Sequence, residues 1–120
     1  MHNTLISYDT ALLAKKAGYN ETSRFYYDED DPRYVNVVAF SMRFNDADRP
    51  LVTATTFDSL CSWLQRNYGI TISIVEAAGT DWRFNMRGTH SELTGVYPSR
   101  AQAYDMALRL ALCEVVPDDL

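Results

Sequence analysis

Two runs of alternating residues constrain this chain more than any other feature. Ile70, Ile72 and Ile74 alternate with Thr71 and Ser73, and Trp82, Phe84 and Met86 alternate with Arg83, Asn85 and Arg87. A period of two sends successive side chains to opposite faces of a strand. The turn signal between them, Ala77 to Thr80 with Gly79, is too short for a crossover helix, so the two strands must run antiparallel. Their apolar face needs a cover; the face carrying Arg83, Asn85 and Arg87 does not. Further strand signals lie at Arg24 to Asp28, at Val35 to Phe44, at Leu51 to Thr53 and, after a turn at Gly88 to Ser91, at Leu93 to Tyr97. In the long run, Val38, Phe40, Met42 and Phe44 alternate onto one face, expected to point inward.

The cover comes from three helices, each with a hydroxyl at its start. Ser7 caps Tyr8 to Ala17, whose last turn holds Lys15 and Lys16 before Gly18, the arrangement a helix C-terminus favours. Thr55 or Thr56 opens a second helix with Phe57, Leu60, Cys61 and Leu64 at helical spacing and Trp63 beside them; Tyr68-Gly69 stops it. Ser99-Arg100-Ala101-Gln102 matches a capping box and opens a third, with Tyr104, Leu108, Ala111, Leu112 and Val115 as its buried stripe and Pro117 as its end. The expected fold is α+β: an antiparallel sheet with three helices packed on one face, laid out as two strand-strand-strand-helix halves after an N-terminal helix. At 120 residues the whole of 1–120 is expected to form one domain around one core.

Sixteen acidic against eleven basic residues give a net charge of −5, the wrong overall sign for generic attraction to nucleic acid or anionic lipid. The apolar runs all fall short of the ~18 residues that span a bilayer, and Met1-His2-Asn3-Thr4 lacks the pattern of a secretory leader. The expected setting is cytoplasmic, without a membrane. Cys61 and Cys113 sit in helical patterns and read as small buried residues rather than a disulfide framework.

Catalytic signatures are sparse. Asp28-Glu29-Asp30-Asp31 invites a cation, but Pro32 and Arg33 stand where an EF-hand loop places an oxygen ligand and a glycine. The run reads instead as a solvated turn, as does Asp46-Ala47-Asp48 before Arg49-Pro50. His2 and His90 belong to no spaced ligand set. No Walker loop, dinucleotide fingerprint or nucleophile elbow occurs. No catalytic, cofactor-binding or metal-binding residue is assigned, and the chain is read as a non-enzyme.

Two features bear on binding. Arg83, Asn85 and Arg87 share a strand face, and with Arg100 and Arg109 they make residues 82–109 locally basic. The junction Gly95-Val96-Tyr97-Pro98-Ser99-Arg100-Ala101-Gln102-Ala103 resembles that of integrase arm-binding DNA modules, which implies a sheet laid in the major groove with arginines on its open face. The second feature is aromatic content: eight tyrosines, two tryptophans and five phenylalanines are more than a small core needs, and tyrosine suits recognition surfaces. Phe25-Tyr26-Tyr27 places rings on both sheet faces.

Ile6-Ser7-Tyr8-Asp9-Thr10-Ala11, Lys15 to Glu21, Phe25-Tyr26-Tyr27-Asp28, the helix Thr56 to Arg66 around Trp63-Leu64, Ile70 to Ile74 and Tyr97-Pro98-Ser99 together resemble small proteins of gut Bacteroidetes and their phages and mobile elements. That resemblance implies an accessory or interaction protein and carries no activity with it. The expected function is therefore non-enzymatic binding through protein–protein contacts, with another protein or with a second copy in a homo-oligomer. The alternative is a nucleic-acid module using Arg83, Asn85 and Arg87.

Overall fold

A computed structural model describes residues 4–46, 49–77, 79, 81–88 and 93–116. The order is α1 (Tyr8–Lys16), β1 (Ser23–Asp28), β2 (Asp31–Met42), β3 (Leu51–Ala54), α2 (Phe57–Tyr68), β4 (Thr71–Glu76), β5 (Trp82–Arg87), β6 (Leu93–Tyr97) and α3 (Arg100–Val115). This is the α+β class, and all pairings are antiparallel. Each strand-strand-strand half builds its own sheet, however, in the orders β2-β1-β3 and β4-β5-β6, where the strand pattern alone gathered them into one. The helices knit the two together. α1 packs along β3, α3 crosses β4, β5 and β6, and α2 lies against α3 and β4.

The three caps form as their sequences dictate. Ser7, Thr56 and Ser99 accept from the backbone N–H of Thr10, Ser59 and Gln102. Beyond α1, the N–H of Gly18 reaches Lys15 O at 3.1 Å and that of Tyr19 reaches Ala14 O at 2.9 Å. This double closure requires Gly18 to take a positive φ, here 99°. The core gathers Ile6, Leu60, Leu64, Phe84, Met86, Leu108 and Leu112, all nearly inaccessible to solvent.

In the second sheet the register matches the alternation. Phe84 and Met86 are buried, Trp82 is half-buried, and Arg83, Asn85 and Arg87 are exposed. Gly95, opposite Phe84, lets that ring close over the strand: a Cβ there would lie 2.8 Å from Phe84 Cε2.

The first sheet departs from expectation at β2. Phe44 is buried, yet Phe40 is 80% exposed and Met42 43% exposed, so the expected inward face of this strand is uncovered. The reason is tertiary: α1 lies over β3, and among the described residues the helices pack chiefly on β3 and on the second sheet rather than on β2. Pairing with β1 is regular for Val35, Asn36 and Val37 and shifts register on either side.

The acidic run does form the β1–β2 turn at Glu29–Asp30, where the Asp28 carboxylate accepts from Asp30 N at 2.9 Å. Pro32 stands within β2, on an edge strand where its missing N–H is tolerated. Cys61 is half-buried, but Cys113 is exposed, against the expectation of burial, because it falls off the buried stripe of α3. His2, His90, Pro117, the Ala47–Asp48 part of one turn and residues 89–91 of another lie outside the described residues.

Candidate functional site

Two surfaces stand out as candidates for contact. The first is the open face of the second sheet. Cross-strand pairing sets Thr71 beside Arg87, Ser73 beside Asn85, and Val75 beside Arg83 and then Val96. It is a shallow surface of small polar residues and two valines, with the guanidiniums of Arg83 and Arg87 standing on its central strand. Neither arginine is ion-paired among the described residues.

The rest of the expected basic patch is spent inside the fold. The guanidinium carbon of Arg100 lies 5.7 Å from the Trp82 ring centre and 4.9 Å from that of Tyr104, and Tyr104 in turn stacks on Phe57. Arg109 pairs with Asp9 at 3.0 Å and with Asp105 at 3.3 Å. Arg100 and Arg109 therefore hold helices in place, and the open face keeps two cations.

The second surface is β2, whose exposure the strand pattern missed. Tyr34, Val35, Val37, Phe40 and Met42 account for five of the eight large hydrophobic residues exposed on the described surface. One sequence signal does point there. Between Tyr34 and Phe44 both parities are apolar, Val35 and Val37 on one and Val38, Phe40 and Met42 on the other. Such a strand is either buried on both faces or exposes one.

The two edges of this first sheet are unlike. Along the outer edge of β3, Lys15 Nζ donates to Leu51 O at 2.8 Å, Asn45 Oδ1 accepts from Thr53 N at 2.7 Å, and Ile6 N donates to Thr55 O at 2.8 Å. Every second residue is answered, so that edge is closed. At β2, apart from pairing with β1, the contacts to its backbone among the described residues reduce to Arg24 Nε donating to Val38 O at 3.1 Å. That edge is open.

A cleft of about 430 Å³ lies between the N-terminal segment and α3, walled by Leu5, Ile6, Tyr27, Phe57, Tyr97 and Met106, with Asp105 at one side. Its polar groups are engaged. Asp105 Oδ1 accepts from Ser7 Oγ at 2.8 Å and Thr10 Oγ1 at 2.5 Å, and Tyr27 donates its hydroxyl to Ile6 O at 2.7 Å. Burial raises the Tyr27 pKa above its usual value, with the Asp105 charge adding to it, so the phenol stays a donor. Burial beside Asp58 likewise pushes the Cys61 thiol up to about 12, which leaves it protonated and a poor nucleophile at neutral pH. Among the described residues no three His, Cys, Asp or Glu side chains converge to hold a metal ion, and no helix is long and apolar enough to cross a membrane. Comparison with protein-family models, with curated proteins and with solved structures gave no match.

Proposed function

We propose that this chain is a non-enzymatic binding protein that works through protein–protein contact, with strand β2 as its contact surface. The observation that carries the reading is the concentration of exposed Tyr34, Val35, Val37, Phe40 and Met42 on one edge strand whose backbone is unpaired outward. Exposed apolar patches and open strand edges are each sites where a partner gains by covering them. The −5 charge keeps the rest of the surface solvated.

Unpaired Arg83 and Arg87 on an open sheet face support the second reading, a nucleic-acid module. Two free cations supply little counterion release, so that module would depend on base contacts for its affinity.

The test is the size of the assembly containing this chain in extracts of cells that produce it, with and without nuclease. The expected result is a species larger than the monomer that survives nuclease and collapses to monomer with Val37→Lys and Phe40→Lys together. A chain that runs as a monomer throughout, or an assembly that nuclease dissolves, overturns the reading.

A further inference from the structure

We infer that the occupant of the β2 edge is a second copy of this chain, paired antiparallel through β2 about a two-fold axis at Val37. The inference rests on the proposed role of β2 and adds the identity of the partner.

The contrast between the two edges is the starting point. A closed β3 edge and an open β2 edge mean that the sheet can grow in one direction, and two copies joined there would make a sheet of six strands with both outer edges closed. Such an isologous contact consumes the open edge and ends the growth.

The register follows from geometry. Residues facing each other across an antiparallel pair share a sheet face, and faces alternate along a strand. A two-fold normal to the sheet must therefore pass where a residue meets its own copy. With the axis at Val38, Arg33 meets Arg43, a like-charge clash. With the axis at Asn36, Asp31 meets Ser41 and Arg33 meets Ala39. With the axis at Val37, Asp31 of each copy meets Arg43 of the other, and Tyr34 meets Phe40. This register joins opposite charges at both ends and sets aromatic against aromatic, the cross-strand pairs that stabilise a ladder.

The shape of β2 agrees. Regular pairing with β1 covers Val35 to Val37, and extra residues fall on both sides, 32–34 and 38–41. A two-fold at Val37 meets one irregular stretch with the other, bringing together the 61%-exposed Tyr34 and the 80%-exposed Phe40. Arg43 gives Nε to Asn20 O at 3.0 Å, which leaves its terminal nitrogens to reach a carboxylate. Asp31 already meets Arg33 at 2.9 Å, and both are exposed. Asp31 and Met42 lie opposite Asp28 and Ser23 of β1, which at about 3.3 Å per residue puts the two ends of β2 roughly 17 Å apart, too far for a salt bridge within one chain, so direct pairing of Asp31 with Arg43 acts between copies.

Sedimentation velocity on the purified chain over a concentration series tests this. The wild type is expected to dimerise, and Phe40→Lys to weaken the dimer by roughly a hundredfold. Asp31→Arg alone and Arg43→Asp alone, each setting like charges face to face, are expected to weaken it several-fold to about tenfold, and the double exchange to restore most of that loss. Circular dichroism of each variant checks that it folds. A purified chain that stays monomeric, or a double exchange no better than the sum of its singles, overturns the inference. A monomeric purified chain that still enters a nuclease-resistant assembly in extracts overturns self-pairing while leaving the protein-contact reading in place.

Discussion

Asp105→Ala should show that one carboxylate fastens the first half of the fold to the second. Asp105, on α3, accepts from Ser7 Oγ and Thr10 Oγ1 at the start of α1 and faces Arg109 Nε at 3.3 Å. The three donors are not equivalent. The Arg109 side chain is 34% exposed and Ser7 half-buried, so each can turn to water; Thr10 is fully buried and cannot. The loss therefore concentrates on Thr10, whose hydroxyl loses its charged acceptor and keeps only the neutral Ser7 Oγ at 3.1 Å to donate to, with Arg109 Nε at 3.4 Å. Hydrogen bonds to charged groups contribute about 1.5–3 kcal/mol net, and a few tenths from Ser7 and Arg109 bring the expectation to about 2–3 kcal/mol. For a domain of this length that lowers Tm by roughly 10 °C. Asp105→Asn keeps one acceptor and should cost about 1 kcal/mol. Urea denaturation of the four proteins in a cycle with Thr10→Val is the assay. In the Thr10→Val background, Asp105→Ala should cost less than half as much, because the buried hydroxyl that depends on the carboxylate is gone. A loss below about 0.5 kcal/mol, or an equal loss in both backgrounds, would refute the reasoning.

Other consequences are equally open to measurement. Ser99→Ala should destabilise the fold by about 1 kcal/mol, since Gln102 N loses its acceptor at 3.1 Å; a denaturant titration showing no change would mean the cap contributes nothing. A thiol reagent should label exposed Cys113 quickly in the native protein and half-buried Cys61, whose thiol stays protonated, far more slowly until the chain unfolds; equally rapid labelling of both would refute the shielding of Cys61. Because the folded chain holds the Cys61 proton up to about 12 and the unfolded chain releases it near the ordinary value of 9.0, that group's contribution is intact below pH 9 and is lost as pH rises toward 12. Buried Tyr19 and Tyr27, also raised, act in the same direction, so alkaline melts should fall in Tm across that window, and a flat profile would contradict the burial. Duplex DNA should give no anisotropy change at ~0.15 M salt; salt-sensitive binding that Arg83→Ala with Arg87→Ala abolishes would favour the sheet-face reading.

The parts legible in the sequence are those set by neighbours along the chain. Ser7, Thr56 and Ser99 cap because a hydroxyl stands next to a run of apolar residues at helical spacing, and each reaches an N–H three residues on. The register of β5 was legible because apolar and polar types alternate there without exception. At β2 both parities are apolar, and which face is covered depends on where α1 and α3 come to rest. No local rule says that Phe44 is buried while Phe40, four residues earlier, is exposed. The division into two sheets has the same origin, since strand signals do not carry the identity of their neighbours. For the candidate site, Arg83, Asn85 and Arg87 were placed on the exposed face they occupy. The engagement of Arg100 by Trp82 and Tyr104, and of Arg109 by Asp9 and Asp105, arises from contacts distant in sequence and leaves that face less basic than its composition suggests.

The central claim is that this chain meets other protein through β2 rather than nucleic acid through β5. A photoreactive phenylalanine analogue introduced at position 40 in one protein, and at position 85 in another, tests it in the cells that produce the chain. Both positions are exposed, on different sheets. Irradiation should yield protein adducts, with a second copy or another chain, from position 40 and none from position 85. Adducts with nucleic acid from position 85, and none of any kind from position 40, would contradict it.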